Sequence, residues 1–316
     1  MSRVRGDVLD WFTARRVAPG REFAILRAAA IIPAPAQWRA FLGQISLWLG
    51  TIALAAAVIF FFAFNWDDLS RLAKFGLVEA AILVALLACW RLDLDGMAGK
   101  AVLTLLSLLV GALLALAGQI YQTGADTFEL FAYWAALILP WVLVGRFAPL
   151  WLIWLGLLNV ALSLYLSLGH NGEALMWALF ALNGLALMLC ETAHRVGLPW
   201  LRESWPLRLV AIVSAAAATG LIIWAIADGR DRSALLAALA YVAWLAGFYV
   251  WYRSVRPDLF MLAAGLLSLI LAVAAFLSRH MLESGGGAYL FIGLVVIGMS
   301  AAGAIWLKSV AQEEPA

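Results

Sequence analysis

Residues 101–119 read AVLTLLSLLVGALLALAGQ, an uncharged run that Lys100 immediately precedes. A run of this kind predicts an α-helix that crosses a bilayer, because about 20 apolar residues at about 1.5 Å rise span a hydrocarbon core about 30 Å thick. The run is apolar throughout instead of at alternate positions, so it does not fit a strand of a membrane β-barrel. This stretch therefore indicates a membrane protein built from helices.

Similar runs recur along the whole chain, separated by charged or Gly- and Pro-rich segments. Of the 316 residues, 66% are hydrophobic and 13% are charged, against about 45–50% and about 25% in soluble domains. This balance excludes a soluble enzyme, a nucleic-acid-binding protein and a disulfide-stapled secreted fold. The predicted fold is all-α, a polytopic membrane bundle of about ten transmembrane helices, at residues 45–64, 72–90, 101–119, 128–145, 149–168, 174–190, 207–227, 234–252, 258–277 and 288–307.

Basic residues set the predicted orientation of the bundle. With the N-terminus in the cytoplasm, most of the 21 Lys and Arg residues fall on the inner side, including those near Arg91, Arg195 and Arg253. Short loops rich in Lys and Arg stay on the cytoplasmic side of a membrane. Both termini are therefore predicted to be cytoplasmic.

The charge pattern divides the chain into three predicted segments. Residues 1–43 are rich in arginine and carry apolar residues at helical spacing around Trp11, which predicts a short cytoplasmic amphipathic helical module. This module either lies on the inner leaflet against anionic headgroups or docks a protein partner. Residues 44–308 form the predicted transmembrane bundle, and residues 309–316 form a cytoplasmic tail.

The densest polar stretch follows the third predicted helix, on the predicted outer side. It supplies amides, a phenol and carboxylates that can hydrogen-bond a polar ligand or a lipid headgroup. The same stretch also fits a turn followed by a helix cap at Asp126, completed by Glu129. The candidate ligand-binding residues are Gln119, Tyr121, Gln122, Asp126 and Glu129.

Two further polar features belong to the same candidate ligand site. Asn65, Trp66 and Asp67 end the first predicted helix. They either meet the polar stretch to line one outward-facing pocket, or serve as an interfacial anchor and an ion pair with Arg71. Glu79 lies about 10 Å deep in the second predicted helix. It is either a functional acid or a neutral side chain that hydrogen-bonds to a neighbouring helix.

Other polar and small residues have structural interpretations. Asn159 and Asn183 are expected to hydrogen-bond between the fifth and sixth helices. Gly298 and Ala302 have the small-residue spacing that lets helices approach closely.

The sequence lacks the defining groups of the common catalytic motifs, although Asp67, Glu79 and Asp126 are acids that an enzyme could use. Cys89 and Cys190 lie at predicted cytoplasmic helix ends, so neither a disulfide nor a metal site is expected. Motifs of hydrolases, ATPases and redox enzymes are lacking. We therefore expect a protein that is not an enzyme, with no catalytic residue, no cofactor and no metal.

The N-terminal part of the chain resembles a known family. The residues that carry the resemblance are Phe64-Asn65-Trp66-Asp67, Leu72 to Gly76, Gln119-Ile120-Tyr121-Gln122 and Leu130 to Pro140 with Trp134. This pattern resembles a bacterial family of predicted membrane proteins of unknown function, domain of unknown function 2157. The resemblance covers roughly residues 4–145 and implies a multi-pass protein of the bacterial inner membrane, with no catalytic residue assigned.

Two functional hypotheses follow. In the first, the protein binds or transports a small molecule or lipid through an outward-facing polar pocket formed by the candidate residues. In the second, it is a membrane scaffold or sensor that docks a membrane protein partner through residues 1–43. Both hypotheses place the protein in a lipid bilayer, and neither involves nucleic acid.

Overall fold

The computed structural model of the protein is helical throughout its regular secondary structure. Within the residues it describes, ten helices are long and apolar enough to cross a membrane. The predicted all-α class and the predicted number of spans are therefore confirmed for that part of the chain. The described residues are 11–12, 14, 20, 22–28, 32, 35–64, 69–121, 124, 126–169, 171–201, 203–228, 231–281 and 287–313.

The helices follow one another through short connections. A short 3₁₀ turn, Pro199–Leu201, precedes α8, and a π-helix, Trp251–Val255, continues α9. The α-helices are α1 Glu22–Ala28, α2 Pro35–Phe64, α3 Arg71–Arg91, α4 Met97–Tyr121, α5 Thr127–Gly145, α6 Ala148–Leu168, α7 Gly172–Arg195, α8 Trp205–Ala227, α9 Asp231–Val250, α10 Leu259–Met281 and α11 Gly287–Glu313.

Several helix ends have local causes in the sequence. The Ser70 hydroxyl accepts a hydrogen bond from the Ala73 N–H at 3.2 Å, and the Asn171 side chain accepts one from the Ala174 N–H at 3.0 Å. These caps satisfy N–H groups that have no partner inside the first turn of a helix. Arg146 ends α5 in the left-handed region, with φ 40°. These signals separate neighbouring apolar runs into distinct helices.

The chain divides into two compact units. The division falls between Leu113 and Leu114, inside α4. The described residues before this point form the N-terminal unit, and residues 114–313 form the C-terminal unit. The sequence analysis did not predict a division here, because the apolar run of α4 is uninterrupted.

In the C-terminal unit, α8 is the central helix. It contacts α6, α7, α9 and α10, while α11 packs on α10. A broad face of α8 is buried and includes Leu207, Ala211, Ala218 and Leu221. The opposite face carries exposed apolar side chains, namely Leu209, Ile212, Val213 and Ile223. Helices α6, α7, α9 and α10 therefore pack around the buried face of α8.

Close packing of α10 and α11 depends on one glycine. A Cβ atom at Gly303 would lie 2.1 Å from Cδ2 of Leu266. Gly298 and Ala302 are exposed instead, and a Cβ atom at Gly298 would meet nothing within 4 Å. The expectation that these two residues form a packing face is therefore wrong for contacts within the described chain. Five residues turn a helix by about 140° beyond one full turn, so Gly298 and Gly303 lie on different faces.

Candidate functional site

The residues predicted to form an outward-facing pocket fall into three groups. Asn65, Trp66, Asp67 and Gln122 lie outside the described residues. Glu79 lies on α3 in the N-terminal unit with an exposed side chain. The four remaining candidates lie in the C-terminal unit. The role of all nine residues in a ligand site remains a prediction.

Those four candidates lie where α4 ends and α5 begins. Gln119 and Tyr121 are exposed in the last turn of α4. Asp126 is the N-cap residue of α5, but its side chain makes no capping hydrogen bond, and Glu129 lies half-buried in the first turn. The backbone position of Asp126 therefore agrees with a cap, whereas its exposed carboxylate does not act as one.

The predicted amide contact between two membrane helices is present. Asn159 Nδ2 donates to Asn183 Oδ1 at 3.1 Å, and Asn183 Nδ2 donates to Asn159 Oδ1 at 2.7 Å. The remaining amide hydrogens go to helix carbonyls one turn back. The pair joins α6 to α7 and leaves these amides well satisfied. This geometry confirms its interpretation as an interhelical contact, not a ligand site.

A second polar contact lies where α8, α9 and α10 meet. The Thr219 and Ser268 hydroxyl oxygens are 2.7 Å apart, and the Tyr241 hydroxyl is 3.0 Å from that of Ser268. Thr219 also donates to the Ala215 carbonyl. Thr219, Tyr241 and Ser268 are all buried in the unit, so the cluster joins three helices.

A buried carboxylate joins α7 to the π-helix. Tyr252 donates to Glu191 Oε1 at 2.6 Å, and Arg256 Nη1 donates to the same oxygen at 3.0 Å. Glu191 is only 5% exposed. Its other oxygen, Oε2, is buried and has no hydrogen-bond partner among the described residues. We call Glu191, Tyr252 and Arg256 the Glu191 cluster.

Two residues of the Glu191 cluster belong to the π-helix and its C-cap: Tyr252 lies within it, and Arg256 follows its last residue. The Arg256 N–H donates to the Trp251 carbonyl, a bond five residues back instead of four. Such single wide turns are rare and occur often at functional positions. Arg195, one turn after Glu191 on α7, stacks over the Trp251 ring with its Cζ 4.0 Å from the ring centroid. The Glu191 cluster and this stacking contact together join the end of α7 to the π-helix that continues α9.

The sequence analysis missed this cluster. Glu191 lies one residue beyond the predicted sixth span, and Arg256 lies in the basic loop after the predicted eighth span. The available signal was the spacing of Tyr252 and Arg256, four residues apart at a helix end. A neighbouring ion pair, in which Arg208 contacts Asp258 at 3.2 Å, similarly joins α8 to the start of α10.

An apolar groove runs between α9, α10 and α11. Its volume is about 350 Å³, and it opens on the surface of the C-terminal unit. The Tyr249 and Trp306 rings contact each other at one end of it, with centroids 6.0 Å apart. We call it the α9–α11 groove, and it is lined by Val242, Leu245, Ala246, Phe248, Tyr249, Leu262, Gly265, Leu266, Leu269 and Trp306.

An ion pair lies just beyond one end of the groove. Arg253 Nη2 donates a hydrogen bond to Glu313 Oε2, which joins the π-helix to the last turn of α11. The combination of an apolar groove and a charged end can hold an amphiphile. Among the described residues, no group of three His, Cys, Asp or Glu side chains could hold a metal ion.

Comparison with known proteins supports the family resemblance and nothing more specific. Searches of curated proteins and of solved structures found no match. The α9–α11 groove and the Glu191 cluster lie C-terminal to the part of the chain that a family model covers. The resemblance inferred from the sequence is confirmed: residues 9–151 match the model of the family described as Predicted membrane protein (DUF2157), so this segment of the chain is similar to a family of membrane proteins of unknown function.

Proposed function

We propose that the protein binds a lipid or a lipid-like amphiphile in the α9–α11 groove and catalyses no reaction. The groove is the observation that carries this proposal. Its volume of about 350 Å³ lies at the lower end of the range for small-molecule sites, about 300–1,000 Å³. Its lining is apolar and aromatic, which suits an acyl chain and does not suit a polar solute.

The free energy of lipid binding in the groove must come from its shape and from contacts with the lipid headgroup. Lipid tails are as apolar as leucine, so moving an acyl chain from the bilayer into the groove yields no hydrophobic gain. Binding must come from close contact with the groove wall and from polar contacts at its end. The paired rings of Tyr249 and Trp306 offer a rigid aromatic surface, and Arg253 with Glu313 offers charge.

The proposed setting is the bacterial inner membrane with both termini in the cytoplasm. The basic residues near the ends of α7 and α9, Arg195, Arg253 and Arg256, would then lie at the inner leaflet. The ion pair of Arg253 with Glu313 would meet headgroups of that leaflet.

The outward-facing polar pocket remains a second proposal. Its support is that Gln119, Tyr121 and Asp126 are exposed at neighbouring helix ends and that the Asp126 carboxylate makes no capping bond. A double variant, Gln119→Ala with Asp126→Ala, tests it by loss of a co-purifying polar molecule. The scaffold alternative depends on residues 1–43, most of which lie outside the described residues.

The groove is tested by filling it. Ala246 lines the groove and is exposed, so Ala246→Phe adds a ring there without entering the helix core. We expect this variant to lose a lipid that the wild type retains through stepwise removal of bulk lipid. Native mass spectrometry of protein released from lipid nanodiscs measures the number of retained lipids.

Ala243→Phe is the matched control. Ala243 is also exposed on α9, one turn earlier, and does not line the groove. We expect it to retain lipid as the wild type does. Equal retention in wild type and Ala246→Phe, or equal loss in both variants, would contradict binding in the groove.

A further inference from the structure

Charged side chains lie beyond the end of the α9–α11 groove that Tyr249 and Trp306 form. Tyr249 lines the groove, and Arg253 follows it by four residues. Trp306 of α11 contacts Tyr249 and also lines the groove, and Glu313 follows Trp306 by seven residues, two turns or about 10 Å along α11. One cation and one anion therefore stand side by side just beyond the aromatic end of an apolar groove.

The two charges are accessible. The Arg253 side chain is 31% exposed and the Glu313 side chain is 60% exposed. Exposed ion pairs of this kind contribute little to stability. Each partner can therefore exchange part of its contact for a headgroup charge without disturbing the fold. By contrast, the buried pair of Glu191 with Arg256 is not free to do so.

Arg253 and Glu313 match a headgroup that carries both signs of charge. A guanidinium presents a planar fork of N–H donors that fits a phosphate. A carboxylate accepts hydrogen bonds, and a primary ammonium offers three N–H donors. A phosphodiester and an ammonium separated by a short linker can thus meet both residues at once. A purely anionic headgroup would leave Glu313 facing a like charge.

We propose that the groove selects a phospholipid with a primary-ammonium headgroup, of the ethanolamine class. Its acyl chain lies in the α9–α11 groove, its phosphate contacts Arg253 and its ammonium donates to Glu313. This inference rests on the proposed lipid-binding function. It adds the headgroup class and the two residues that recognise it.

The test is a graded series of headgroups. Nanodiscs are made with equal amounts of four lipids that share acyl chains and carry zero, one, two or three methyl groups on the headgroup nitrogen. The net charge is constant across this series at neutral pH, while the number of N–H donors falls to none. Native mass spectrometry then compares the retained lipids with the bulk composition.

We expect retention to fall along the series, by roughly tenfold between the primary ammonium and the fully methylated headgroup. Glu313→Gln should flatten the series, because a neutral amide attracts the ammonium weakly. Arg253→Gln should lower retention of all four lipids. Lys308→Gln is the control for loss of one positive charge on exposed α11, and we expect the series to persist in it.

The outcomes separate the headgroup inference from the proposed function. If the wild type retains all four lipids equally and Ala246→Phe loses them all, the groove binds lipid and the headgroup inference is overturned. If the wild type retains no lipid, or Ala246→Phe retains as much as the wild type, both are overturned. A dimer of this chain that separates on Ala246→Phe would also overturn both, because a second copy would then occupy the groove.

Discussion

Glu191 illustrates how one residue can join two helices in a lipid-solvated protein. Both of its described contacts, with Tyr252 and Arg256, fall on one buried oxygen. A buried charge is tolerated only when it is paired and hydrogen-bonded. The sequence could not show this pairing, because Glu191 and Arg256 are 65 residues apart and each lies at the end of an apolar run.

Removing Arg256 should therefore destabilise the C-terminal unit. Arg256→Ala leaves the Glu191 carboxylate buried without its cation, at an expected loss of about 3 kcal/mol in the free energy of unfolding. Unfolding in mixed detergent micelles, titrated with SDS, measures that loss.

Arg253→Ala is the matched control for this prediction. Arg253 belongs to the same π-helix, but its ion pair with Glu313 is exposed, so we expect a loss of less than about 1 kcal/mol. Equal losses in the two variants would show that the Glu191 cluster is not a structural link.

At the scale of the helix, hydropathy predicts which segments form helices better than it predicts where each helix begins and ends. All ten spans correspond to helices, because each apolar run must satisfy its own backbone in lipid. The helix α2 begins at Pro35, ten residues before the predicted span at 45, because a helix can continue beyond the hydrocarbon and proline fits its first turn. The π-helix was not predicted, since one extra residue in a turn leaves the hydropathy unchanged.

The sequence also did not show which small residue of α11 packs against α10, and substitutions at Gly303 and Gly298 test the packing seen in the structure. Gly303→Ala should cost about 1–3 kcal/mol in unfolding free energy, because the new methyl group would overlap Leu266. Gly298→Ala should be neutral or slightly stabilising, since it faces open space on an exposed helix. The same SDS titration measures both.

Leu266→Ala serves as the compensating change for Gly303→Ala. It removes the side-chain atoms that the added methyl would meet, so the double variant should lose less stability than the sum of the two single variants. Strict additivity would mean that α10 and α11 do not pack through this contact.

At the scale of the whole molecule, the sequence predicts a ligand site where α4 ends and α5 begins. Polar residues among apolar ones are conspicuous, so Gln119, Tyr121, Asp126 and Glu129 were the natural candidates. The α9–α11 groove could not be predicted. Apolar side chains that line a groove have the same composition as those that face the bilayer, and only the packing of three helices distinguishes them. The protein is thus a multi-pass membrane protein whose candidate lipid site lies outside the matched family segment.

The most direct test of lipid binding in the C-terminal unit is a cryo-electron microscopy map of the full chain in nanodiscs. A bound antibody fragment adds the mass that particle alignment needs. We predict continuous density for one acyl chain in the α9–α11 groove, with headgroup density beside Arg253 and Glu313. A map of the Ala246→Phe variant under the same conditions should show the phenylalanine ring in the groove in place of the acyl chain. A groove closed by the protein's own side chains, or one with density no stronger than that of the surrounding bilayer, would contradict the account.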